Sequence, residues 1–191
     1  MSASKLSQNQ RLGENVWTRM TKVNSELFTL TYGAMVMQLI RDLEDVNVVS
    51  QQLEKMGRNI GVRIIDEFLA KTGVSSCSNF RDTADMIAKV AFKMFLGITV
   101  EVVNWSADSN AFSLLLTDNP LVEFVELPVQ YQELKYCNLL CGVIMGALEM
   151  VQLHVECKFV RDVLQGDDVS EMRVELKGIL DTVMADEYKE N

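Results

Sequence analysis

The chain has 191 residues, nearly half of them hydrophobic, with two prolines and a formal net charge of −9. That length suits one domain with a substantial core, and the acidic balance argues against nucleic-acid binding. The longest apolar run, residues 139–148, is too short to span a bilayer, and residues 1–22 lack the apolar stretch of a signal peptide. The expectation is a cytoplasmic protein whose four cysteines are reduced thiols.

Residues 1–23 are polar with scattered apolar positions and read as a flexible N-terminal tail ahead of a single domain over 24–180. A helix is expected to start at Asn24 or Ser25, both good caps, and to run to about Leu43. Its apolar residues nearly encircle it, so one side can face the core while the other meets a partner. A polar break at Glu44-Asp45 leads to a helical pair extending to Gly97. The first member carries Met56, Ile60, Ile64 and Phe68 at steps of four, and the second carries Phe80, Ala84, Ile87, Ala91 and Met94 at steps of three or four. Gly73 is placed to stop the first helix in a left-handed cap, and Asn79 to cap the second with Asp82 three residues on. Cys77 lies in the small-residue loop between them. Gly57 and Gly61, four apart, read as close backbone packing in a soluble protein. Residues 51–97 carry a net charge of +2, leaving −11 on the rest. Such a face suits an acidic partner or peripheral contact with an anionic membrane, the plainer reading being a solvated helix surface.

The period then changes. Residues 100–105 and 112–117 read as strands joined by a turn. Asn119-Pro120 breaks the pattern, and residues 121–127 form an apolar segment of no assigned type. Tyr136, Leu140, Val143, Ala147 and Met150 mark a further helix. Residues 152–160 alternate strictly, as do residues 171–177, with a turn at Gln165-Gly166-Asp167-Asp168 between them. Residues 181–191 form an acidic tail. Two hairpins without a crossover pattern predict an α+β fold, an antiparallel four-stranded sheet with helices packed on one face.

The chemistry-bearing residues form no catalytic constellation. Cys137 and Cys141 can share a helix face, but His154 and Cys157 are three apart on a strand and point to opposite sides, so no metal site is expected. A cysteine nucleophile needs a base, and the single histidine, His154, faces solvent. The glycines form neither a dinucleotide fingerprint nor a phosphate loop. Cys77 is different: the neighbouring helices carry Gly57, Gly61, Ala84, Ala88 and Ala91, small residues that can leave a slot between them. The sharp reading is a lipid-modified cysteine with its chain in that slot, and the plain one is a loop cysteine without a role.

Several runs resemble a known family. Glu26-Leu27-Phe28-Thr29-Leu30-Thr31-Tyr32-Gly33-Ala34, Ile87-Ala88-Lys89-Val90-Ala91-Phe92-Lys93-Met94, Asn119-Pro120-Leu121-Val122-Glu123-Phe124-Val125-Glu126-Leu127-Pro128 and Asn138-Leu139-Leu140-Cys141-Gly142 are similar to subunit three of the transport protein particle (TRAPP), in the same order. The resemblance covers roughly residues 24–176. It implies an antiparallel α/β plait and a non-catalytic core subunit of a vesicle tethering complex in ER-to-Golgi transport, peripheral at the cis-Golgi and endoplasmic reticulum. It implies homodimers or heterodimers with other small TRAPP subunits, exchange activity on a Rab GTPase through the assembled complex, and capture of COPII-coated vesicles. The family's palmitoylated cysteine falls on Cys77 and a channel-lining alanine on Ala91. Ser75-Ser76 stands where the family often has a basic residue, and the C-terminal segment that can approach the GTPase is acidic here. The alternative is a stand-alone carrier of a lipid or small hydrophobic ligand using the same slot.

Overall fold

A computed structural model describes residues 7–180. Its sheet has four strands, β1 (Glu101–Val103), β2 (Ala111–Leu116), β3 (Leu153–Arg161) and β4 (Ser170–Ile179), in the order β1-β2-β4-β3. Every neighbouring pair is antiparallel, so the two expected hairpins are joined through β2 and β4. Alternation on β3 turns Val155 and Cys157 into the core and His154, Glu156 and Lys158 to solvent. β2, central with β4, is buried almost throughout.

The helices are α1 (Gln8–Arg19), α2 (Ser25–Leu43), α3 (Val46–Thr72), α4 (Phe80–Met86), α5 (Phe92–Leu96) and α6 (Asn138–Glu149), with α4 and α5 joined by a π-helical turn over Ile87–Ala91. Local chemistry sets the ends. Asn24, Asp45 and Asn79 cap α2, α3 and α4 through their side chains, and Gly73 ends α3 at φ 70°.

The tail expected over residues 1–23 is instead helical from Gln8 to Arg19. Ser7 and Gln10 close a capping box, and Val16 is buried with Leu12 and Met20 packed around it. The helix lies against the α4–α5 rod: a Cβ on Gly13 would come within 2.3 Å of the Lys89 carbonyl oxygen, Trp17 lies over Gly97, and Glu14 pairs with Lys93 at 2.9 Å. The domain therefore begins before residue 24. The acidic tail expected over residues 181–191 lies outside the described residues, as do residues 1–6.

α3 and α6 cross so closely that their glycines interlock. A Cβ on Gly57 would fall 2.0 Å from the Leu139 carbonyl oxygen and one on Gly61 2.2 Å from that of Val143. Reciprocally, Gly142 meets the Glu54 carbonyl at 2.0 Å and Gly146 that of Arg58 at 2.1 Å. Close backbone packing is thus the role of Gly57 and Gly61.

Candidate functional site: a cysteine at the mouth of an apolar cavity

The steps of four on α3 place Met56, Ile60, Ile64 and Phe68 along one wall of a cavity of about 1080 Å³. The opposite wall comes from the α4–α5 rod through Phe80, Ile87, Ala91 and Phe95, and Val143 and Ala147 of α6 lie beside it. The sheet closes one end with Leu153, Leu176 and Ile179. The α3–α4 loop reaches the cavity with Ser75, Ser76, Cys77 and Ser78, all exposed, so Cys77 stands where cavity meets solvent. The lining is otherwise almost wholly apolar. Since a cavity of about 150 Å³ holds benzene, a sixteen-carbon chain needs roughly 400 Å³. The space accommodates such a chain.

Of the five small residues expected to line the slot, the structure places only Ala91 there. Gly57 and Gly61 do not line it, because their missing side chains are filled by the backbone of α6. Ala84 and Ala88 do not either: both are fully buried in the main core beside the sheet, with the Ala88 carbonyl accepting from Val100 N–H at 3.1 Å. The π-helical turn explains the split. Its i→i+5 bonds put more than four residues in a turn, so residues 83, 87, 91 and 95 follow the cavity while Ala84 and Ala88 follow the core, and Phe92 touches both. A uniform 3.6-residue period places all three alanines on one stripe and misses this. Val143 and Ala147 were visible as an apolar face, but only the α3–α6 crossing makes them cavity wall.

α1 backs the same wall. The second apolar cluster joins Val16 to Ile65, Phe68, Met86, Val90 and Met94, and Ile65, Phe68 and Met86 also line the cavity.

The remaining thiols are of another kind. Cys137, Cys141 and Cys157 are buried. Burial pushes the Cys137 and Cys141 thiols well above the ordinary range, and Asn119 Nδ2 donates to Cys137 Sγ at 3.3 Å. They behave as small hydrophobes. His154 is exposed on the outer face of β3, turned away from Cys157.

Residues 28–175 match the family described as transport protein particle (TRAPP) component. The trafficking protein particle complex subunit 3 of Dictyostelium discoideum is 55% identical over 171 residues, 89% of this chain and 92% of that protein. This chain belongs to the TRAPP component family. Within it, the trafficking protein particle complex subunit BET3 of Saccharomyces cerevisiae is 49% identical over 172 residues, covering 88% of this chain and 89% of the yeast protein. These relatives are named as subunits of a complex and not as enzymes, and they place the chain in the subunit 3 branch of the TRAPP family. The crystal structure of a subunit 3 from Naegleria fowleri, covalently bound to palmitic acid, superposes with a TM-score of 0.80 at 53% identity, over 84% of this chain and 99% of the other. The α+β fold expected from the two hairpins is that of the TRAPP subunit 3 structure.

Proposed function

We propose that this chain is a non-catalytic core subunit of a TRAPP complex and that Cys77 carries a thioester-linked palmitoyl chain folded into the cavity. The observation that carries this reading is Cys77 itself, an exposed thiol on the lining of a roughly 1080 Å³ apolar space, in a fold whose Naegleria relative holds palmitic acid covalently. The energetics favour an inward chain. Fourteen methylenes at about 0.8 kcal/mol each are costly to leave in water, and one acyl chain alone anchors only marginally to a membrane. Inside the cavity the chain completes an apolar core.

The subunit works in ER-to-Golgi transport, peripheral at the cis-Golgi and endoplasmic reticulum. The assembled complex, and not this chain alone, exchanges nucleotide on a Rab GTPase and helps capture COPII vesicles. The names of the subunit 3 relatives support the assembly part of this reading. The finer roles rest on the family resemblance.

The test is affinity purification from eukaryotic cells with intact-mass analysis and identification of partners. The expected result is a mass increment of one acyl group, removed by hydroxylamine, together with co-purifying small TRAPP subunits. An unmodified Cys77 in a chain free of such subunits overturns the reading. One observation favours a stand-alone lipid carrier as the second reading: the cavity exceeds what one acyl chain fills. A carrier purifies as a monomer with exchangeable, hydroxylamine-resistant ligand.

A further inference from the structure

The cavity mouth carries an exposed apolar rim, and the chain leaves the described fold from that rim. Ile179, Met150 and Val151 all line the cavity, yet they are 74%, 50% and 39% exposed. Two hydrogen bonds place them at the Cys77 end of the sheet. Arg81, near the start of α4, donates to Ser109 Oγ at 2.8 Å, and Leu176 N–H donates to the Asn110 carbonyl at 2.7 Å. The loop that precedes α4 and the last residues of β4 therefore meet the cavity at one end. Leu180 N–H donates to the Gln152 carbonyl at 2.8 Å, and Gln152 also lines the cavity. Residues 181–191 thus start on the rim itself.

An apolar rim of this kind calls for cover, and the order of residues along 181–191 suits the task. Val183 and Met184 come early, and Asp186, Glu187 and Glu190 follow with a single Lys189. Reach matches that order. A round cavity of 1080 Å³ is about 13 Å across, and extended chain advances roughly 3.3–3.6 Å per residue. Val183 and Met184 therefore fall over the mouth, and Asp186 and Glu187 reach past its other side. Lys71 stands on that side. It lies in the last turn of α3, just before Gly73 opens the Cys77 loop, and it is exposed. It joins none of the ion pairs among the described residues. A segment tethered to the rim meets it at an effective concentration in the millimolar range, so weak contacts suffice to hold it there.

We propose that residues 181–191 cross the mouth of the cavity as a strap. Val183 and Met184 seat on Met150, Val151 and Ile179, and Asp186 and Glu187 face Lys71. The closed strap shuts Cys77 off from solvent and, once the thiol is acylated, keeps water and deacylating enzymes from its thioester. The thioester part rests on the acyl reading of Cys77, and the closure itself does not.

The test has two arms on the purified full chain. The first places benzoylphenylalanine at Met184 and identifies the cross-linked peptides by mass spectrometry. The expected cross-link lies within one chain and reaches residues 74–79 or 150–153. The second follows the labelling of Cys77 by a bulky maleimide in unacylated chain made in bacteria, where the other three thiols are buried. Val183→Ser combined with Met184→Ser speeds labelling at least about fivefold, the factor expected of a mouth closed four-fifths of the time. Lys71→Glu also speeds it. Adding Asp186→Lys and Glu187→Lys to Lys71→Glu restores slow labelling, a rescue that a merely structural lysine would not show. No cross-link, a cross-link elsewhere or to a second copy of this chain, or a labelling rate indifferent to the variants overturns the strap. If chain from eukaryotic cells carries the acyl adduct while both arms fail, the strap falls and the acyl reading stands. If both arms succeed while Cys77 from those cells is unmodified, the strap stands and the acyl reading falls.

Discussion

At Cys77 and Ala91 the sequence reading and the geometry meet. Cys77 stands out by its loop between two apolar helices, and Ala91 is one of five small residues on the neighbouring helices, the one that the family resemblance marks as channel-lining. Both line the cavity, one at the mouth and one along the wall. Cys77→Ser is expected to abolish the acyl adduct while the protein still folds, with a melting temperature lowered because the cavity is left unfilled. Ala91→Leu adds a branched side chain to the wall and is expected to hinder acylation without touching the thiol. Intact mass and hydroxylamine sensitivity check both. The same Leu substitution at Ala84 or Ala88 acts differently: it overpacks a closed core, costing about 1–3 kcal/mol, and does not block the cavity.

A second residue-scale expectation concerns acid. Glu171, buried on β4, is held below the usual carboxylate range by the Ser113 hydroxyl first, then by Asn104 and Arg161. Asn104 Nδ2 donates to Oε1 at 3.0 Å, and Arg161 Nε and Nη2 donate to Oε2 at 2.9 and 2.7 Å. A carboxyl with a lowered folded-state pKa contributes stability above its unfolded-state pKa. That contribution is lost as the pH falls through the folded value. Glu171→Gln should therefore cost about 1–3 kcal/mol at pH 7. It should also flatten the decline of stability below the unfolded carboxylate pKa, as read from denaturant midpoints across pH. An unchanged slope would show that Glu171 carries none of the acid sensitivity.

At the scale of elements, the legible parts were those whose signal is local. The start of α2 at Asn24, the Gly73 stop, the Asn79 cap and the alternation of β3 follow from side chains within a few residues of one another. Two features were not legible as read. The π-helical turn in the α4–α5 rod re-phases a stripe that a constant period makes continuous, so Ala84 and Ala88, small enough to leave a slot, turn into the core instead. α1 was missed although Ser7 and Gln10 form a capping box and Leu12, Val16 and Met20 recur every four residues. Its polar composition hid a single narrow stripe that becomes a core contact only when the α4–α5 rod is beside it. Removing residues 1–22 is expected to lower the melting temperature and to expose Ile65, Phe68 and Met86 from behind, raising the binding of a hydrophobic dye. Gly61→Ala tests the other tight crossing, since its Cβ would press 2.2 Å from the Val143 carbonyl oxygen and 2.7 Å from the Ala147 nitrogen. The expected cost is about 3 kcal/mol.

For the whole molecule, the excess positive charge of residues 51–97 is largely spent inside the fold. Arg58 pairs with Glu149, Lys89 with Asp85 and Lys93 with Glu14, and Arg81 lies over Trp105 at 4.5 Å. That makes the basic segment a weak basis for membrane attachment and shifts the weight to apolar surface. α2 carries it: Leu27 is 66% exposed, Leu30 61% and Met37 46%, while Tyr32, Val36 and Ile40 on the other side are buried. The helix expected to be apolar on nearly all sides is therefore buried on one side only. Under the proposed subunit role the second side is where a partner would sit, and a stable contact there would bury at least about 1,000 Å² in total. Leu27→Glu should leave the melting temperature of the isolated chain nearly unchanged, because that side chain meets solvent there, yet reduce co-purification of small subunits severalfold or more. Nucleotide release from a Rab GTPase should be unaffected by the purified chain alone, appear with the assembly, and fall in the Leu27→Glu assembly in proportion to the lost subunits. Full exchange by the single chain would place the activity within it and remove the need for the α2 surface. A fall in activity with the complex intact would make α2 a GTPase contact instead of a subunit contact.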